Sequence, residues 1–247
     1  MGRDTGHLTN LWYNINSHTS FGGFVMRMRK KKNCAARMER CSEVWIREPE
    51  KFRGRWKEVF GNDNPVHIEI GCGKGAFVTG MAKRYPDVNF VAVEKVEDVI
   101  VMAMEKAVAA GLDNVRFTDM DAERIEEFFE YGEAERIYLN FSDPWKKSRQ
   151  AKRRLTHKRF LDRYRRILRP GAQIWFKTDN RQLFEFSLNS FCGEGFRLSN
   201  ISLDLHNSGF EGNVMTEYET RFAELGQPIY RLEAAVPPQE DAGQQKK

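Results

Sequence analysis

The 247-residue chain has only four cysteines, Cys34, Cys41, Cys72 and Cys192, and no Cys-x-x-Cys pair. That scarcity excludes a disulfide framework and a thiolate zinc site, and it fits a reducing cytoplasm. The five histidines, His7, His18, His67, His157 and His206, are scattered without a spacing suited to a metal, so no metal is expected. Long apolar runs are also missing. Charges interrupt even Val99–Leu112, and nothing approaches the roughly 20 apolar residues of a membrane span, so no membrane partner is expected. Residues 1–25 lack the basic, apolar and small-residue order of a signal peptide. They are rich in Asn, Ser, Thr and Gly without periodicity, which reads as a loose extension with Met26 a candidate natural start. The polar tail 237–247 is expected to be disordered.

The chain does hold concentrated positive charge. Its formal net charge is only +5, yet Arg27–Arg40 has seven basic residues against one acid and Lys146–Arg169 has twelve against one. The two stretches together carry +17, which leaves −12 on the rest of the chain. A positive field confined to two segments of an acidic body suits a polyanion such as nucleic acid. Either run taken singly reads equally well as a solvated face.

From Val66 onward, short β-branched runs alternate with longer amphipathic segments. Candidate strands are Val66–Ile70, Asn89–Glu94, Val115–Asp119, Arg136–Phe141, Ala172–Thr178, Phe196–Leu205 and Pro228–Glu233. Candidate helices are Ala76–Arg84, Val96–Ala110, Ala122–Tyr131, His157–Leu168 and Gln182–Phe191. The alternation predicts a doubly wound α/β domain with a mostly parallel seven-stranded sheet. The last two strands lack a clear helix between them, so they are expected to close the sheet as an antiparallel edge hairpin.

Three glycines, Gly71, Gly73 and Gly75, sit between the first strand and the first helix of this series, where a turn lets a ligand approach the backbone. The pattern also matches a dinucleotide fingerprint, with Glu94 at the end of the next strand placed to accept from ribose hydroxyls. Glu69, inside the strand, argues the other way: it would repel a pyrophosphate but suit an ammonium, as in an adenosyl-sulfonium cofactor. Asp121 reads as an adenine-edge contact or as a helix N-cap. Asp143 lies in Ser142-Asp-Pro-Trp145 after the fourth strand, at the carboxyl edge of the sheet where ligands bind in such folds. Trp145 reads as a stacking surface or as core. Thr216-x-x-Glu219 has the spacing of a capping box.

Taken together, Arg27-Met-Arg-Lys-Lys, Ile68-Glu-Ile-Gly-Cys-Gly-Lys-Gly, Ser142-Asp-Pro-Trp, Lys152-Arg-Arg, Lys177-Thr-Asp179 and Thr216-Glu-Tyr-Glu219 resemble the bacterial tRNA (guanine-N7-)-methyltransferase family. The likeness runs from Met26 to about Glu233. It implies a fold of the S-adenosylmethionine-dependent methyltransferase type, S-adenosyl-L-methionine as cofactor, and tRNA as partner, methylated in its variable loop. It implies cofactor contacts at Glu69, Glu94, Asp121 and Asp143, beside the Gly71 and Gly73 turn. It also implies Asp143 as the catalytic group, substrate contacts at Lys147, Asp179, Thr216, Glu217, Tyr218 and Glu219, and RNA contacts along Arg149, Gln150, Ala151, Lys152, Arg153 and Arg154. Some relatives leave room for a homodimer. The expected division is a loose extension over 1–25, a basic arm with helices over 26–65, a methyltransferase domain over 66–236, and a tail. The competing readings are a nicotinamide-dependent oxidoreductase and a non-catalytic RNA-binding module on a relict cofactor fold.

Overall fold

A computed structural model describes residues 33–237. The extension 1–25, the candidate start at Met26, the first residues of the basic arm and the tail from residue 238 lie outside the described residues.

Helices α1 (Cys34–Glu39) and α2 (Trp56–Phe60) precede β1 (Val66–Ile70), α3 (Ala76–Arg84), β2 (Asn89–Val93), α4 (Glu97–Ala109) and β3 (Val115–Thr118). Then follow α5 (Ile125–Phe128), β4 (Ala134–Asn140), α6 (Lys158–Arg165), β5 (Leu168–Thr178), α7 (Arg181–Gly193), β6 (Arg197–Ser202), α8 (Glu217–Glu224) and β7 (Tyr230–Ala235). The strands form one sheet in the order β3-β2-β1-β4-β5-β7-β6. The pairs from β3 through β5 are parallel, and β7 runs antiparallel to both of its neighbours. The strand order reverses between β1 and β4, so their outgoing loops diverge to opposite faces and leave a crevice at the carboxyl edge.

Every residue of β1 and β2 is buried, as expected of central parallel strands covered on both faces. Helix α4 turns Ile100, Val101, Ala103, Met104 and Ala107 to the core at helical spacing. Gly75, at φ +83°, opens α3 where an added Cβ would come within 2.5 Å of the Ala103 Cβ, so only glycine lets α3 and α4 meet so closely.

Residues 33–65 are part of the same compact body as the sheet. Met38 and Val44 join the core cluster on the α3 and α4 face, and Trp56 joins the one that holds α5 and α6. The Trp56 ring is fully buried, stacks on Phe129 at 5.0 Å and donates from Nε1 to the Phe128 carbonyl at 2.8 Å. Trp45 makes a parallel bridge to Phe117, which extends the sheet one residue beyond β3.

The structure departs from the expected elements in three places. Strand β5 begins at Leu168 and passes through Pro170 and Gly171; opposite it, β4 shifts register between Ala134 and Arg136. The expected helix over 122–131 is a 3₁₀ turn, Ala122–Arg124, followed by the four-residue α5. The last two strands do pair antiparallel, but α8 lies in the connection and β7 inserts between β5 and β6. Among the described residues, no helix is long and apolar enough to cross a membrane.

Candidate active site

Parallel strands deliver the residues that follow them to one edge, so Gly71 and Gly73 after β1, Glu94 after β2, Asp121 after β3, Asp143 after β4 and Asp179 after β5 share it. Gly71 and Gly73 adopt φ +77° and +57°, and nothing lies within 4 Å of where a Cβ would stand on either. The turn therefore shows bare backbone to the crevice. Beneath it Glu69 is 1 % exposed. Its Oε1 accepts from Asn140 Nδ2 at 2.8 Å, while Oε2 is buried with no partner among the described residues. Burial is the main reason its carboxyl is pushed up to about 8; Asn140 and Lys177 pull it down, and Glu217 and Glu94 push it further up.

Glu94 accepts from the Val96 N–H at 3.0 Å and from the Gly73 N–H at 3.4 Å. Burial lifts its carboxyl above the usual range against those two donors, and the nearby charge of Asp143 adds to the rise. Asp121 accepts from the Glu123 N–H at 2.9 Å, so the N-cap reading holds, and its other oxygen lies 3.7 Å from Lys95 Nζ.

Asp143 is exposed, and no hydrogen bond or ion pair holds its carboxylate among the described residues. The loop around it is strained: Phe141 and Trp145 both have positive φ, 51° and 41°. Such strain in non-glycine residues costs about 1–3 kcal/mol each and persists only where the surroundings enforce it. Part of that enforcement comes from the Phe141 N–H, which donates to the Lys177 carbonyl at 2.9 Å and ties the loop to the end of β5.

The start of α8 closes the crevice from the other side. Thr216 caps the helix by accepting from the Glu219 N–H at 2.9 Å. Glu217 pairs with Lys106 and accepts from the Ala76 N–H at 3.3 Å, where α3 leaves the glycine turn. Tyr218 donates to Asp179 Oδ2 at 3.2 Å, and its ring meets Phe141 at 5.1 Å and stacks on Phe222 at 4.3 Å. Burial raises the Asp179 carboxyl, opposed by a backbone donor and Tyr218.

Two expected contacts are turned inward. The Glu219 side chain is fully buried, one oxygen on Lys177 Nζ and the other accepting from Asn213 at 2.7 Å and meeting His206 Nε2 at 2.9 Å. Arg154 spends its guanidinium on the Pro144 and Trp145 carbonyls at 2.9 and 3.1 Å. Asn140, Lys177, His206 and Asn213 belong to this site, and no sequence pattern had singled out their roles.

The basic run divides. Lys158, Arg159, Arg166 and Arg169 are paired with Glu194, Glu123, Glu126 and Glu135, forming a salt-bridged outer face. Lys146, Lys147, Arg149, Lys152 and Arg153 are exposed and have no ion-pair partner among the described residues. All five flank the Asp143 loop, and the Arg153 guanidinium lies 3.5 Å over the Trp145 ring.

A family model described as "Putative methyltransferase" matches residues 63–232. A tRNA (guanine-N(7)-)-methyltransferase of Listeria monocytogenes serotype 4b is 53 % identical over 209 residues, 85 % of this chain and 98 % of that one. The enzyme of the same name from Bacillus velezensis is 52 % identical over 84 % of this chain and 96 % of its own. Among solved structures, the 16S rRNA methyltransferase KamB aligns over 75 % of this chain and 94 % of its own at TM-score 0.58 and 16 % identity, which shows the shared fold. With 52–53 % identity to these enzymes over 84–85 % of its length, this chain belongs to the tRNA (guanine-N(7)-)-methyltransferase family.

Proposed function

We propose that the protein transfers a methyl group from S-adenosyl-L-methionine to guanine N7 in the variable loop of tRNA. One observation carries the reading: an open glycine cradle above a buried carboxyl with one oxygen unpartnered meets, at Asp143, five exposed cations that have no acidic partners among the described residues. Glu69 fits the cofactor's ammonium, Gly71 and Gly73 let the cofactor approach the protein backbone, Glu94 accepts from ribose hydroxyls, and Asp121 borders the adenine. Bound there, the cofactor supplies an electrophilic methyl on a sulfonium. Guanine N7 has an in-plane lone pair, so no general base is required. The chain must hold N7 in line with the methyl, a positioning effect that contributes several kcal/mol. Asp143 accepts from the guanine N1–H and amino group or faces the cation that develops on the ring. Asp179, Lys147 and the Thr216–Tyr218 turn border the base.

The direct test is incubation with methyl-labelled cofactor and unmodified tRNA, followed by borohydride and aniline cleavage at N7-methylguanine. Label transfer without that cleavage overturns the N7 assignment, and no transfer overturns the activity. With tRNA as substrate we place the protein in the cytoplasm. We also carry the homodimer as a proposal, checked by light scattering against twice the chain mass.

Glu69 gives the cofactor step a pH dependence. Its carboxyl, at about 8, is mostly protonated at neutral pH, and a cation docking on it must displace that proton. Cofactor affinity should therefore rise with pH, by up to about tenfold per unit below 8, and level off above. Folding of the cofactor-free protein has the opposite sign: the raised value favours the fold below the usual carboxylate range, and that benefit is lost as pH rises through about 8. Calorimetry from pH 6 to 8 on wild type and Glu69→Gln checks this; equal slopes would refute it, since the cofactor's own ammonium titrates alike in both.

The unpaired cations make a second expectation. Each phosphate neutralised contributes roughly 0.7–0.9 to the salt slope of binding, so Lys152→Ala with Arg153→Ala should flatten the tRNA slope by about one to two units. Filter binding across salt concentrations measures it, and an unaltered slope would remove this turn from the RNA interface.

A further inference from the structure

The geometry points to Arg154 as a positioning residue that holds the Asp143 loop, rather than as a phosphate contact; this inference rests on the assignment of Asp143 above. Arg154 closes the 3₁₀ turn Ser148–Arg153, and its own N–H donates to the Ala151 carbonyl at 3.0 Å. Its backbone is anchored just downstream, where the fully buried Thr156 shares a 2.7 Å hydrogen bond with Ser187 of α7. From that fixed base the guanidinium lies over the Phe186 ring at 4.3 Å. Nε donates to the Pro144 carbonyl and Nη2 to the Trp145 carbonyl, at 2.9 and 3.1 Å. These are the two residues directly after Asp143, and the second has a strained φ of +41°.

A planar fork that donates to successive carbonyls fixes both the height and the tilt of a loop, which a single ammonium cannot do. Two of the guanidinium's nitrogens, Nε and Nη2, are thus committed to protein, while the neighbouring Arg149, Lys152 and Arg153 remain exposed without ion pairs among the described residues. One turn therefore has two faces, an outer one toward phosphates and an inner one that supports the loop. The Asp143 carboxylate has no hydrogen bond or ion pair of its own among the described residues, so its position is set by the backbone that Arg154 holds.

The conservative variant separates the two roles, because Arg154→Lys keeps the charge and loses the fork. We expect single-turnover methyl transfer at saturating tRNA and cofactor to fall roughly 10–100-fold in Arg154→Lys, the range a loop displacement of about 1 Å produces. tRNA affinity, its salt slope and cofactor affinity should stay within about twofold of wild type, which also reports that the variant is folded. Wild-type turnover in Arg154→Lys would overturn the proposal, as would a drop of about one unit in the salt slope of Arg154→Ala, the mark of a phosphate contact. The double variant with Asp143→Ala should be no slower than Asp143→Ala alone if the brace acts through that carboxylate. Additive losses would overturn that route. If Asp143→Ala alone were fully active, the Asp143 assignment itself would fail, whatever Arg154→Lys did.

Discussion

Replacing Asp143 with alanine should slow methyl transfer at least about 100-fold while leaving S-adenosyl-L-methionine binding measurable. The asymmetry follows from where the carboxylate stands. The cofactor cradle is built largely without it, from Glu69 and the glycine turn after β1 and Glu94 after β2. Asp143 faces this cradle from the far side of the switch point, close enough for its charge to raise the Glu94 carboxyl. On the role proposed above, removing it takes away either the acceptor for the guanine edge or the negative charge facing the alkylated ring. It also removes one repulsion on Glu94, so cofactor affinity has an offsetting gain. Single-turnover transfer and calorimetry on the same preparation check both halves, and wild-type turnover would refute the role.

The central architecture was legible because it rests on local signals. The expected strands Val66–Ile70 and Asn89–Glu94 are rich in β-branched and apolar residues and bounded by turn residues, and the structure matches them to within a residue. Likewise α3 and α4 follow their 3.6-residue pattern. Strand β5 was underestimated because Arg169-Pro-Gly reads as a turn; a proline is tolerated there where the partner strand slips register. Helix α8 was legible only as a capping box, since its buried residue, Glu219, is a charge and not an apolar side chain. The insertion of β7 between β5 and β6 is a long-range pairing with no local mark.

The site divides in the same way. Acids at strand ends could be placed from order alone, because parallel strands send them to one edge. What charge composition could not show was which cations are spent on protein. Arg154 reads like Lys152 and Arg153 in sequence, yet its position after the turn points it at the Pro144 and Trp145 carbonyls. Arg166 and Arg169 extend the same run and are absorbed by Glu126 and Glu135. Distance in the chain separates each pair, so only the folded geometry sorts them.

The largest stability effect should come from Lys177→Met. The Lys177 and Glu219 side chains are 6 % and 0 % exposed, and the ammonium also donates to Asn213 at 3.1 Å and to the Val214 carbonyl at 2.9 Å. Taking the cation away leaves a buried carboxylate without its cationic partner, one oxygen then having no donor, a loss of about 3–5 kcal/mol. The pH dependence identifies the cause. Burial raises the Glu219 carboxyl, but Lys177, Asn213 and His206 together outweigh it and hold it below the usual range. A depressed carboxylate stabilises the fold above the usual carboxylate range, and that contribution is lost as pH falls through its folded value. In Lys177→Met only Asn213 and His206 still hold the carboxyl down against burial, so it takes up its proton at higher pH and the melting-temperature deficit should shrink toward acid. Lys177→Met with Glu219→Leu removes both charges and should recover most of the stability, because apolar replacement of a buried pair is often neutral. It should not recover turnover, since the pair also joins the end of β5, two residues before Asp179, to the first turn of α8 that carries Tyr218. Thermal melts at several pH values, with transfer rates on the double variant, test the chain of reasoning. A deficit independent of pH would show that lost packing, not an unpaired carboxylate, is what the single variant suffers.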